Sequence, residues 1–200
     1  MSRTIIKKYF SGLTKNSILL AFASLFSDIS TEMLYPILPI YLTQYLKATG
    51  SIVGIIDGFA TATQNIVQGF SGYLSDKWQR RKPIALFGYI LSAISKPFIG
   101  FANTWPGVFA ARFSDRLGAG TRAAPRDALI ASSVAAEHRG KAFGLEGIGD
   151  NLGAFLGPLL TILLFFSLQL DIHYIFYLLH QSIFPMNLFA LMLDYMNSNW

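Results

Sequence analysis

Six apolar blocks, each long enough to cross the hydrocarbon layer of a bilayer, fill almost all of this 200-residue chain. They run over about 17–46, 52–74, 83–101, 105–132, 141–168 and 172–193. A span needs roughly 20 apolar residues at about 1.5 Å of rise each. Lipid offers no partner to a backbone N–H, so each span is expected to be a helix. Composition agrees: 52% of residues are hydrophobic and 14% are charged, where a soluble domain is about 25% charged. The expected fold class is all-α, a polytopic membrane helix bundle with no room for a soluble domain. The first residues are polar and basic and the first block has no small-residue cleavage site, so no cleavable signal is expected. Without a cysteine, disulfides and thiolate metal sites are excluded. No histidine spacing suggests a metal, and neither metal nor cofactor is expected.

The charges are gathered between the blocks. Residues 72–83, GYLSDKWQRRKP, hold five charges within 76–82, while none occurs between Gly58 and Ser75 or between Pro83 and Ser95. Such a stretch reads as a tight turn whose charges stay in water while its neighbours lie in lipid. Arg3, Lys7, Lys8 and Lys15 precede the first block, and Arg139 and Lys141 separate the fourth from the fifth. The opposite loops hold only Lys47 among basic residues. Basic loops stay in the cytoplasm. Both termini are therefore expected there, in a multi-pass protein of the cell membrane. The expected division is a cytoplasmic tail over 1–16, a six-helix bundle over 17–196 and a short tail over 197–200. This asymmetry accounts for the net charge of +5, so no nucleic-acid partner is expected.

Other charges sit inside the blocks, where an unpartnered ionised group costs several kcal/mol. Counting about 1.5 Å per residue, Asp28 lies roughly 16 Å in from the cytoplasmic side and Asp150 roughly 14 Å in along the fifth block. Asp115 lies roughly 15 Å in from the outer side, flanked by Arg112 and Arg116. Glu32 is one turn beyond Asp28 on the same face, and Asp57 is nearer the outer surface. Transporters place their sites near this midplane. Spans one and four hold most of the charge, the third only Lys96, and the sixth none. Spans one and four are thus expected to face a wet cavity, with two and five beside them and three and six toward lipid. Gln64, Asn65 and Asn151 either line that cavity or bond helix to helix.

Desolvation disfavours a carboxylate, so Asp28 or Asp150 could take up and release protons as the cavity turns from side to side. Asp115 is as readily read as a fixed pair with Arg112 or Arg116. Glu146, close to the cytoplasmic surface, reads as a solvated group. Gly144, Gly153 and Gly157 would let a neighbouring helix come close, and Pro158, Pro36 and Pro39 would bend their helices. Spans one and four also share Phe-Ser-Asp, at 26–28 and 113–115, a faint echo of an inverted repeat.

The turn after the second block resembles the loop motif of the major facilitator superfamily, Gly-x-x-x-Asp-(Arg/Lys)-x-Gly-Arg-(Arg/Lys). Here Gly72, Asp76, Lys77, Arg80 and Arg81 match, and Gln79 stands where the family has glycine. The stretch 112–131, RFSDRLGAGTRAAPRDALIA, resembles the fourth helix of a bacterial branch of that family, and EHRGKAFG, 137–144, its approach to the fifth. Gly144, Gly153, Gly157 and Pro158 have the spacing of its fifth-helix antiporter motif, though Thr161 and Ile162 replace the closing glycine pair. The likeness covers about 17–180. It implies a six-helix amino-terminal half of two inverted three-helix repeats, with Asp76 and Arg80 as gate residues. It also implies a secondary transporter working by alternating access, with export by proton antiport favoured, and no enzyme activity. The implied partners are the bilayer, a small-molecule substrate, protons, and a second copy or a separate carboxy-terminal half.

Two other readings compete. A truncated or regulatory membrane subunit would not transport by itself. The GFSG of 69–72 has the form of an intramembrane serine protease, but Ser71 closes the second span, inside the loop motif. No phosphate loop is present, so ATP drive is not expected.

Overall fold

The computed structural model describes residues 9–167. Residues 1–8, the sixth expected span (172–193) with its histidines, and the tail over 197–200 lie outside the described residues. Five membrane-length segments follow one another, and no strand occurs among the described residues.

Span one opens at Lys15, where the Thr14 side chain accepts the Ser17 N–H at 3.2 Å and caps the helix. It runs as Lys15–Glu32, breaks at Met33, resumes as Leu34–Ile40 and ends in a π turn, Tyr41–Tyr45. Pro36 explains the break. It offers no N–H to the Glu32 carbonyl four residues back, and its ring crowds that carbonyl. Span two is Gly50–Trp78, span three Arg81–Phe101, span four Trp105–Ser133 with Pro106 in its first turn, and span five Arg139–Ile162. The fifth starts after a short 3-10 turn, Ala136–His138, runs through Pro158 and passes into a π turn, Leu163–Ser167.

The expected blocks match these helices in place, but they are not equally apolar. Lys15–Tyr45, Arg81–Phe101 and Ala136–Phe165 are long and apolar enough to cross a membrane by length and composition alone. Gly50–Trp78 and Trp105–Ser133 are long enough, at 29 residues each, but fall short in apolarity. Each gives one side to polar groups, including Arg112, Asp115, Arg116, Arg122, Arg126 and Asp127 on span four.

Small residues decide the packing. Span four lies between two and three. A Cβ on Gly118 would meet the Gly88 carbonyl at 2.6 Å, and one on Gly120 would meet the Gln64 carbonyl at 2.5 Å. Backbone therefore touches backbone at both crossings. The Ser71 hydroxyl donates to the Gly120 carbonyl at 3.1 Å, a packing role between spans two and four. Spans one and five pair in the same way, described below.

Two apolar clusters form, one at each end of the bundle. Leu20, Ala85, Leu129 and Ile130 lie toward the basic loops, and Leu34, Leu38, Leu42, Ile56, Ile99 and Val108 toward the other end. Asp28, Gln64, Arg122 and Asp150 fall between them. Outward, span three presents Phe87, Ile94, Phe98 and Phe101, a stripe suited to lipid.

Candidate functional site

Spans one, two, four and five enclose a cavity of about 540 Å³ between the two apolar clusters. Span one contributes Asp28, Glu32 and Tyr35, and span two Gln64, Asn65 and Gln68. Span four contributes Arg116, Arg122 and Arg126, and span five Asp150 and Asn151. No residue of span three lines it. Asp28, Arg122 and Asp150 each lie roughly 16 to 20 Å from the basic-loop end of their helices, counted at about 1.5 Å per residue. The wall pattern is the one expected from the charges alone.

The lining charges form a connected network. Arg126 donates to Ser24 at 2.5 Å, and the Ser24 hydroxyl donates to Asp150 at 2.9 Å. Asp28 and Asp150 line the cavity on either side of the seam of spans one and five. Arg122 stands 4.0 Å from Asp28, with its guanidinium 4.8 Å over the Tyr89 ring. Arg126 also forms ion pairs with Glu146 of span five and with Asp127. Arg116 donates to Gln64 at 2.9 Å.

A second, closed cluster sits behind the cavity. Asp115 accepts the Ser92 hydroxyl of span three at 2.5 Å and Arg112 at 3.3 Å, with Arg116 at 3.6 Å. Arg112 reaches Asp57 at 3.8 Å and lies 5.4 Å over the Tyr35 ring. Beside it, Lys96 donates to Ser30 and Thr31 of span one at 2.9 and 3.2 Å.

Of the residues expected around the cavity, Asp28, Glu32, Arg116 and Asp150 line it, and Asp57, Arg112 and Asp115 do not. Asp115 points from span four toward span three, where Ser92 and two guanidinium groups consume its acceptors. This is the fixed-pair alternative. Glu146 was expected to be solvated. It is instead buried, because its azimuth turns it onto Arg126 of span four. Span three was expected to face lipid. One side does, but the other carries Lys96 into the interior. Gln64, Asn65 and Asn151 all line the cavity.

Sequence reasoning passed over Arg122 and Arg126. The signal was present: at about 100° per residue, Arg112, Asp115, Arg116, Arg122, Arg126 and Asp127 fall within roughly 140° of one helix face.

The loop and glycine motifs have local explanations. Gly72 lets Ala124 of span four approach, since a Cβ there would stand 3.1 Å from it. Asp76 is bound within its own turn by Arg81 at 3.1 Å, Lys77 lies 5.9 Å over the Tyr73 ring, and Arg80 is exposed. Gln79 adopts φ 54, the left-handed conformation that favours glycine. On span five, Gly149, Gly153 and Gly157 line up against span one. A Cβ on Gly153 would meet that of Asp28 at 2.9 Å, and one on Gly157 that of Glu32 at 2.6 Å. Thr161 extends the stripe and donates to the Met33 carbonyl at 2.9 Å, at the break in span one. Gly144 lies off this stripe, near the Tyr9 hydroxyl.

A membrane bundle that keeps ionised groups of both signs around a mid-length cavity has the architecture of a membrane transporter. The chain belongs to the Major Facilitator Superfamily, whose sequence model matches residues 20–191. It is 38% identical over 157 residues, 78% of this chain and 39% of the relative, to an uncharacterised MFS-type transporter of Methanocaldococcus jannaschii. It is 27% identical over 144 residues, 70% of this chain and 34% of the relative, to the uncharacterised MFS-type transporter YqjV of Bacillus subtilis. It is 29% identical over 126 residues, 63% of this chain and 32% of the relative, to the quinolone resistance protein NorA of Staphylococcus aureus. The chain spans about two fifths or less of the length of these relatives.

Proposed function

We propose that this chain forms the amino-terminal half of a secondary transporter that works by alternating access and exports a small molecule in a proton-coupled cycle. The observation that carries the reading is the cavity, lined by three acids and three arginines between two apolar clusters. Ionised groups are kept at that depth only where they meet partners or water. Asp28 and Asp150 are the proposed proton-carrying acids, because both line the cavity, from spans one and five, at mid-length of their helices. Glu32 and Arg116 complete the cavity set, and Asp57, Arg112 and Asp115 brace it from behind.

The glycine stripe of span five supports a span one–span five seam that stays tight while other contacts change. The likeness to NorA supports export and makes a quinolone the first cargo to try. Asp76 and Arg80 are the proposed gate residues, meeting a second copy or a separate carboxy-terminal half. In this reading both termini are cytoplasmic, the amino-terminal segment lying on the side of the basic fourth–fifth loop. Contact between the amino-terminal segment and the fourth–fifth loop supports this, since Lys141 donates to the Ser11 carbonyl at 3.0 Å and Tyr9 to the Lys141 carbonyl at 3.2 Å.

The test uses liposomes holding a pH-sensitive dye, with the chain reconstituted alone and with its proposed partner half. A fluoroquinolone gradient is expected to move protons, and Asp150→Asn to abolish the coupling. If neither quinolone nor protons move in any pairing, the transport reading is wrong.

A further inference from the structure

We propose that the cavity takes its cargo by an anionic group, a carboxylate or a phosphate, held between Arg122 and Arg116. The inference rests on the cavity being a transport site and adds the chemical class of what enters it.

Arg122 is 5% exposed, yet among the described residues it makes no hydrogen bond. Its one ionic neighbour, Asp28, stands at 4.0 Å, beyond hydrogen-bond reach. Its Nη1 is buried without a partner. Arg116, 7% exposed, engages Gln64 through Nη1, while its Nη2 is likewise buried and unpartnered. Both side chains line the cavity. An unfilled buried donor on a guanidinium is costly, and here two occur on one wall.

The acceptors around them are mostly taken. Asp150 receives Ser24, Glu146 pairs with Arg126, and Asp115 is held by Ser92 and Arg112. Asp28, with Arg122 only at 4.0 Å, and Glu32 are left over. A ligand that completes this wall must bring acceptor oxygens and negative charge. The planar fork of a guanidinium matches a carboxylate or phosphate.

Asp28 is then the anion's competitor for Arg122. The groups facing Asp28 are Asp150 from span five and Arg122 and Arg126 from span four. A proton on Asp28 releases Arg122, so cargo and proton load together. With cargo and proton moving together, an inward proton gradient would drive uptake of the acid, which departs from the export by antiport expected from the fifth-span motif.

The experiment exploits the absence of cysteine from the chain. Ala123→Cys, on the cavity wall beside Arg122, is reacted in proteoliposomes with an anionic sulfonate methanethiosulfonate and with its cationic trimethylammonium counterpart. Each rate is normalised to that of a free thiol. The anionic reagent is expected to react roughly fivefold faster than the cationic one, the effect of a local positive potential of about 0.5 kcal/mol per unit charge acting on the two in opposite senses. Asp28→Asn should widen the preference and Arg122→Gln remove it. Arg122→Lys keeps the charge and should keep the preference, which guards against misfolding of the glutamine variant. Inorganic phosphate and benzoate are then added as protectants, and whichever slows labelling names the source of the anion. A cationic preference, or protection by neither probe, overturns the inference and leaves a wet cavity standing. Labelling by neither reagent removes the cavity and the transport reading with it.

Discussion

The residues that hold this bundle's interior together are pairs, and their energetics differ from those of surface ions. Arg126 and Glu146 are both largely buried and joined across spans four and five. Removing Glu146 leaves the Arg126 guanidinium with Asp127 and Ser24 as its remaining partners, at about 1–3 kcal/mol. Glu146→Gln is therefore expected to unfold in detergent at a markedly lower temperature. The double change Arg126→Met with Glu146→Met should recover much of the loss, and a double-mutant thermal series reads the coupling. At Gln79 the sign reverses. A non-glycine residue at φ 54 carries strain, so Gln79→Gly should raise stability by about 0.5–1 kcal/mol, seen as a small upward shift in the melting temperature. Asp28 and Asp150 were legible as site candidates because each is an acid near the middle of an apolar block. Glu146 was not, because counting residues along a helix gives depth and says nothing of which neighbour the side chain meets.

Between elements, close approach is set by what is missing at each crossing. Gly157→Leu would push a side chain into Glu32 and the Ile29 carbonyl, which a Cβ alone would meet at 2.6 and 2.9 Å. It is expected to cost about 1–3 kcal/mol or more and to part spans one and five. Gly147→Ala has nothing within 4 Å to strike, and should be neutral in the same detergent melt. Thr161→Val keeps the shape but gives up the bond to the Met33 carbonyl, at about 1 kcal/mol. The glycine spacing of span five was readable in advance, and so was its use in close packing. The identity of the facing helix was not, because a glycine stripe is the same whatever lies on it.

For the whole molecule, the side of each loop is the testable property. Lys77→Cys and Lys141→Cys should react with an impermeant thiol reagent from one side of the membrane, and Thr104→Cys from the other. Labelling of Lys77→Cys and Thr104→Cys from the same side would overturn the arrangement of spans. The walls of the cavity were legible from the distribution of charge: spans one and four carry it, and two and five stand beside them. Its contents were only partly so. Four of the seven expected ionic residues line it; of the others, Asp115 is held by Ser92 of span three, Arg112 lies buried beside Asp115, and Asp57 is partly exposed.

Hydrophobic length and loop charge act along the chain, with bilayer and water as the only other parties. The number of spans in the described region, their ends and the depth of each charge were therefore set before any helix met another. Which charges share a cavity depends on the rotation of each helix about its axis. That rotation is settled where Gly88 meets Gly118, Gly120 meets Gln64 and Gly157 meets Glu32. Those contacts set which neighbour the polar face of span four meets, and depth along that face then leaves Asp115 against Ser92 and Arg122 at the cavity, so the site's donors and acceptors belong to the packing of helices against one another.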